Sequence, residues 1–572
     1  MQKMQLDRRE RNTQMDRRVR YNPMEMQPSK SSGFSRLVEG PAAWLTSFLL
    51  IPALILAILL LPPINLWNRL QLFSFTRITT SGGILRDPDG TIVSFPPEGV
   101  HDTFYAAFNS TPQIDFIEGQ AGRDLYDAAV NLPDYLIAKS PIYSINLRGT
   151  SPSQAILEIP IPNDSLPYET LGVYSWDGSN WRHIPSRVFV ENDIVEARLN
   201  EVPPHFMVMQ TSPDIPEVTA ELLGDEKLPE GVRVASEIHY AATLRGDGAL
   251  VGEPPADAAN TLLLLSNVED GNPRTDLINN LLLDPGQQDN QLNAVEQYVT
   301  QANFRGVVVD YREVDPLPSA RADFVYLMSR LADRLHALNK EVLVRVATPV
   351  QVSAEEWNTA GYDWVALGDV VDKLVVPAPV DPRAYRTNGE MDAMLSWATS
   401  VVERRKLQIE LPVQSVETVG NYIFVLGFEE AFEPLLGQVR AESGDNGAVT
   451  ISLDNPQLLN LLTLDPEIGA YFYKYQDAQG AERTVYIEDA SSISHKLKLL
   501  SKYNVMDVAL QPPSDADIDQ NIWSVLLQFQ TGVALSSTND SVAVAYTVYD
   551  DSNNVVTSNV RPLDDSSFSF NT

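Results

Sequence analysis

Apolar and polar positions divide the chain into an uncharged span, a β-rich stretch, a long alternating region and a polar tail. No residue between Glu39 and Arg69 is charged, and 44–61 is almost entirely Leu, Ile and Ala. About 20 apolar helical residues cross a hydrocarbon core of ~30 Å, so this window predicts a transmembrane anchor over 41–67, kinked at Pro52. Residues 82–211 then show short β-rich runs broken by Pro and Gly. Ile84-Leu85 leads through Asp87-Pro88-Asp89-Gly90 into Ile92-Val93, a hairpin pattern. A second hairpin is expected from Leu171–Trp176, through Asp177-Gly178-Ser179-Asn180, into Trp181–Ile184. Together they predict a β-sandwich. Residues 101–140 fit this pattern poorly and read as an inserted helical excursion. Trp176 and Trp181 could stack on a sugar, though packing is the favoured reading.

Beyond 214 the period changes. Apolar strand-like runs recur at 217–223, 235–242, 261–266, 306–311, 341–348, 373–377, 407–411 and 505–510. Amphipathic helices separate several of them. One is 320–339, with Phe324, Leu327, Met328, Leu331 and Leu335 on one face, and another is 392–404, with Met394, Leu395, Ala398 and Val402. Eight strand signals alternating with helices predict an α/β (β/α)8 TIM barrel over 214–530. A doubly wound sheet is the alternative, but no Gly-rich phosphate loop follows the first strand. Gly246-Asp247-Gly248 reads as a hairpin turn. The remainder, 531–572, alternates weakly and reads as an edge hairpin followed by disorder.

Charge sharpens this division. The 572 residues carry 42 Lys+Arg and 76 Asp+Glu, a net −34, which argues against a nucleic-acid partner. Residues 1–40 hold nine basic and five acidic side chains, so this tail is +4 and the rest of the chain is −38. A basic tail before the apolar span predicts a single-pass membrane protein with a cytoplasmic N-terminus and extracytoplasmic C-terminal domains. Its length and the Leu61-Pro62-Pro63 sequence speak against a cleaved signal peptide. There is no cysteine, which excludes disulfides and thiol chemistry. The six histidines show no ligand-spaced pair, and no cofactor or metal is expected. Acidic pairs at Asp515/Asp517 and Asp550/Asp551 read as solvated turns rather than calcium sites.

Two motifs in the β-rich region are Gly82-Gly83-x-Leu85-x-x-Pro88-Asp89-Gly90 and Tyr174-x-Trp176-Asp177-Gly178-x-x-Trp181. They resemble bacterial cousins of the β-sandwich domain of ankyrins and netrin receptors. In the alternating region, 304–313 (FRGVVVDYRE), the following helix and 342–347 resemble family 18 glycoside hydrolases, notably the branch associated with spore germination and peptidoglycan. The stretches 264–271, 361–376, 391–412, 485–500 and 504–510, with Trp523, fall in the same order.

That family carries Asp-x-x-Asp-x-Asp-x-Glu on its fourth strand. The resemblance implies cleavage beside N-acetylated sugars, with the last Glu as acid and the Asp before it polarising the substrate's acetamido group. Here Arg305 and Val308 replace the first two acids, Asp310 is kept, and Arg312 stands at the acid position. Arg cannot act as a general acid at neutral pH. Glu313, one residue on, has the wrong strand parity and could substitute only through a bulge or an early strand end. An ion pair between Arg312 and Asp310 is expected instead. The family's Met-x-Tyr-Asp after the sixth strand is Pro377-Ala378-Pro379-Val380-Asp381 here. Its Leu-Pro-x-Tyr-Gly after the seventh is Leu411-Pro412-Val413-Gln414-Ser415, and Gln511 follows the eighth strand where a sugar-floor Trp is usual.

The resemblance places Asn267, Asp310, Tyr311, Arg312, Asp381, Gln414 and Gln511 as candidate ligand contacts. The expected function is a membrane-anchored, non-hydrolytic glycosidase relative that binds an N-acetylated glycan or a protein partner at the cell envelope. The alternatives are an active hydrolase using Glu313 and a structural scaffold without glycan binding.

Overall fold

The structure is a computed structural model. Besides Ala53, its described residues run from Ser74 to Asn571, without 224–226, 355, 437–438, 444–447, 454–460, 512–516, 536–542, 550–554 and 563–566. The predicted anchor and basic tail thus lie outside the described residues, Ala53 excepted. Among the described residues no helix is long and apolar enough to cross a membrane.

The β-rich region forms two antiparallel sheets. One runs in the order Thr76–Ile78, Phe104–Thr111, Ile142–Arg148, His205–Thr211, Leu171–Trp176, Trp181–Ile184, and the other Ser186–Phe189, Ile194–Leu199, Ala155–Pro160, Ile92–Phe95, Gly83–Arg86. Alternate residues of both sheets share one core, including Val93, Phe95 and Leu157 from one and Phe104, Tyr143 and Phe206 from the other. The excursion expected over 101–140 is narrower than its sequence suggested. Phe104–Thr111 is an eight-residue strand inside the first sheet, and the helices are Gln113–Ile117 and Arg123–Val130. Their apolar faces cover Trp176 and Trp181. The Trp181 indole N–H donates to the Ala128 carbonyl at 2.9 Å, and its ring meets Phe116 edge-on. Both tryptophans pack against these helices.

The alternating region closes into a barrel of eight parallel strands: β1 Glu217–Glu221, β2 Ser236–Leu244, β3 Thr261–Ser266, β4 Gly306–Asp310, β5 Glu341–Arg345, β6 Lys373–Pro377, β7 Leu407–Leu411 and β8 Asp507–Leu510. Each strand pairs with the next, and β8 pairs with β1. β3, β4 and β6 are apolar on both faces over most of their length because both faces are covered. Val308, Leu343, Val375 and Leu264 point inward, while Val307, Val309, Val342 and Leu374 pack beneath the helices. The helices are α1 Thr275–Leu283, α2 Pro285–Ala302, α3 Pro318–His336, α4 Trp364–Val370, α5 Glu390–Val401, α6 Ala490–Lys502 and α7 Ile522–Gln530.

Two connections depart from regular strand–helix alternation. Among the described residues, no helix follows β1 or β2, and Gly246-Asp247-Gly248 turns β2 into an antiparallel pair with Leu250–Val251. Between β7 and α6 lies an antiparallel sheet in the order Tyr422–Leu426, Ser415–Val419, Glu482–Ile487, Ala470–Gln476, Thr463–Asp465. In the tail, Ala543–Tyr549 and Val555–Pro562 form the expected hairpin, while Ser567–Asn571 pairs with Ala448–Leu453 as a further strand where disorder was expected.

A buried cation joins the β-rich region to the barrel. The side chain of Arg404, just before β7, donates to the carbonyls of Glu169 (3.1 Å), Thr170 (2.5 Å) and Leu171 (3.4 Å) and to Thr211 Oγ (2.8 Å). Burial works to lower its pKa, so these acceptors are what keep the charge tolerable. Beside it Tyr135 donates to Glu403 at 2.8 Å and carries the Arg405 guanidinium 4.1 Å above its ring. Arg404→Ala strands these carbonyls in a dry contact. The expected loss is about 3 kcal/mol or more in urea unfolding, with no comparable loss for Arg187→Ala at the exposed Arg187–Ala354 contact.

Candidate functional site

The barrel places its inward-facing strand ends in one chamber. Inward parity along β5 runs through Leu343 to Arg345, and along β4 through Val308 to Asp310. Arg345 is buried, and its guanidinium meets three carboxylates. It donates to Glu221 on β1 at 2.5 Å, to Asp310 at 3.1 Å and to Glu410 on β7 at 2.9 Å. Burial opposes its charge, but Glu410, Glu221 and Asp310 together outweigh that and raise its pKa.

Asp310 also receives Arg312. The Arg312 Nε lies 3.0 and 3.1 Å from the two carboxylate oxygens, and Nη2 lies 2.8 Å from one of them. This bidentate pair raises the pKa of Arg312, whose side chain remains 51% exposed while that of Asp310 is only 4% exposed. The backbone of Arg312 is fixed by Asn267, whose side-chain oxygen accepts its N–H at 2.8 Å and whose amide donates to its carbonyl at 3.1 Å.

The chamber therefore holds two guanidinium groups and three carboxylates. Burial holds the Glu410 carboxyl up at about 7, with Arg345 pulling it down and Glu221 and Asp310 adding to the rise. Two guanidinium charges against three carboxylates leave one negative charge in excess, which a proton on Glu410 neutralises below about 7.

The other predicted site residues are more scattered. Tyr311 faces away from the chamber. Outward parity buries it in the core beneath the helices, where the Gln291 amide donates to its hydroxyl, so the expectation that it contacts ligand is corrected. Asn267 is fully buried and acts on Arg312 rather than on a ligand surface. Asp381, after β6, is bound through both oxygens by Arg383 and caps the turn Pro382–Tyr385. Gln414 is half-buried. The Gln511 backbone N–H donates to the Leu411 carbonyl, and its side chain lines a pocket beside the chamber.

The strand ends at Asp310, and Glu313 lies beyond it at φ +57°, exposed to solvent. Arg305, at the first motif position, sits at the opposite end of β4, paired with Glu341 (3.0 Å) and Ser236 (2.8 Å). Among the described residues no cluster of three His, Asp or Glu side chains could hold a metal. His183 is half-buried, and desolvation, with Arg404 adding to it, lowers its pKa to about 3, which keeps it neutral.

No family model matches the chain. Over 309 residues it is 22% identical to YdhD of Bacillus subtilis (strain 168), named as a sporulation-specific glycosylase, covering 51% of this chain and 68% of that protein. It is 21% identical over 304 residues to the cortical fragment-lytic enzyme of the same organism, covering 50% and 67%. The barrel half is family 18-like. Among solved structures, a chitinase from Chromobacterium violaceum aligns at 18% identity and TM-score 0.41, covering 55% of this chain and 98% of that one.

Arg345, Glu221 and Glu410 escaped the sequence reading. The signal available was inward parity, which puts Leu343 and Arg345 on one face of Glu341–Arg345 and Gln408 and Glu410 on one face of Leu407–Leu411. Glu410 gives a pH test. Its folded pKa of about 7 lies above the ordinary 4.5, so the folded state keeps a proton that the unfolded chain has lost. Stability from this group is full below about 4.5 and is lost as pH rises to about 7. Urea unfolding across that range should show a steeper decline for wild type than for Glu410→Gln.

Proposed function

We propose that this protein is a membrane-anchored, extracytoplasmic glycosidase relative that binds an N-acetylated glycan of the chitin or peptidoglycan type without hydrolysing it. The observation that carries the non-hydrolytic reading is the Arg312–Asp310 pair. In the family 18 pattern the position of Arg312 delivers a proton to the leaving oxygen, and a guanidinium has none to give at neutral pH. The Asp that would polarise an acetamido group is committed to Arg312 and Arg345. The names of the relatives support a glycan as the ligand class, and the −38 charge outside the basic tail favours a neutral polymer over a polyanion. The anchor rests on the uncharged window 41–67 and the basic residues before it.

Purified protein should co-sediment with peptidoglycan or chitin and release no reducing ends from either, and Glu313→Gln should leave binding unchanged. Turnover that Glu313→Gln abolishes would overturn this reading. In cells, the full chain should fractionate with membranes and be released by detergent but not by high salt or carbonate. Release by salt alone would show a peripheral rather than a spanning attachment.

A further inference from the structure

Beside the Arg345 chamber, on the wall formed by β1, β7 and β8, lies a small pocket of about 90 Å³ that opens to solvent. Its lining combines an aromatic side chain with a few polar groups: Trp523 from the first turn of α7, Gln511 just after β8, Gln520, Lys227, and Glu221 from the end of β1. Trp523 is only partly buried, with one side packed on the barrel core. Val413 and Leu510 extend the apolar surface.

We propose that this pocket is a sugar-binding subsite in which Trp523 is the stacking platform. A pyranose ring has an apolar face that matches an indole and a hydroxyl edge that needs amide or carboxylate partners. Gln511 and Gln520 offer side-chain amides, which also pair with an acylated amine on the sugar. Lys227 and Glu221 contribute opposite charges, which suits a neutral ligand. The pocket is distinct from the position of Arg312 on the opposite wall, but it is coupled to it, because Glu221 lines the pocket and also holds Arg345, which holds Asp310. A bound ring would therefore sit against a chamber that is already charge-paired. This inference rests on the glycan reading above and assigns its contact residues.

The probe is the hexamer of N-acetylglucosamine, titrated calorimetrically into the full-length protein in detergent, with the glucose hexamer as a parallel arm. Wild type should bind the acetylated hexamer more tightly than the glucose hexamer. Trp523→Leu, which keeps apolar packing but removes the π-face, should weaken binding about ten-fold or more. Gln511→Leu should weaken it as well and should remove most of the preference for the acetylated hexamer. Melting temperatures report folding, and Gln511→Leu decides the question if Trp523→Leu fails to fold. Folded variants that bind like wild type would overturn this subsite and leave the glycan reading standing. No binding of either hexamer by wild type, together with none to peptidoglycan, would overturn both.

Discussion

The barrel depends on a single buried guanidinium. Arg345 enters the C-terminal end of the chamber and binds carboxylates from β1, β4 and β7, strands that are not neighbours around the barrel. Backbone hydrogen bonds close the wall, but they set only the spacing of adjacent strands. The Arg345 cluster ties the wall across its interior. Glu221, Asp310 and Glu410 could not be buried together without it, since each carboxylate would face two others in a dry space. Such a cluster is weak evidence for stability, because desolvation offsets much of the attraction. What it fixes is geometry: Asp310 is held where Arg312 can close on it.

Similar logic recurs at other levels of the molecule. At the N-terminal end of the barrel, Lys373 on β6 bridges Glu217 and Asp507 at 2.8 and 2.7 Å. Midway, the Gln408 amide donates to Thr219 at 3.1 Å. Outside the wall, Lys496 of α6 is buried against Glu488 at 2.7 Å and lies 4.6 Å above the Tyr385 ring. Arg404 does the same between the barrel and the β-rich region. Each of these cations meets acceptors that tie elements together, while the Nε atoms of Arg345 and Arg404 are buried without a hydrogen-bond partner. The polar interior is thus structural at its base and middle, and only its upper layer meets a surface that a ligand could reach.

The strand order was legible because eight apolar runs lie in sequence at spacings suited to intervening helices. The two hairpins of the β-rich region were legible because Asp-Gly turns punctuate them. What the sequence hid was which strand ends converge. Tyr311 and Arg312 are adjacent in sequence, yet one lies under α2 and the other at the chamber mouth, and the parity that turns Glu313 away turns Tyr311 away as well. Phe104–Thr111 was misplaced for a related reason: the polar Asn109-Ser110-Thr111 end looks like loop until its partner Ile142–Arg148 is seen. The link from Arg345 to Glu221 and Glu410 joins residues 124 and 65 positions apart, a pairing that no local pattern encodes.

These placements bear directly on which carboxyl of the barrel mouth could serve as a general acid. A general acid needs a carboxyl that keeps its proton near neutrality and an atom that substrate can reach. Glu410 meets the first condition, with burial holding it at about 7, but it is buried and spends its oxygen on Arg345. Glu313 meets the second, because the strand has ended and its side chain is exposed. It lies beyond Arg312, however, at a left-handed turn rather than on the inward face. Loss of the Glu410 proton would leave three carboxylates against the two guanidinium groups of Arg345 and Arg312, one negative charge in excess in a dry space. Moving Glu313 inward would displace Arg312 from Asp310 and break the contacts of Asn267 with its backbone. Either change disturbs the charge balance of the chamber, so the ion pairs that tie the barrel across its interior also hold Arg312 on Asp310.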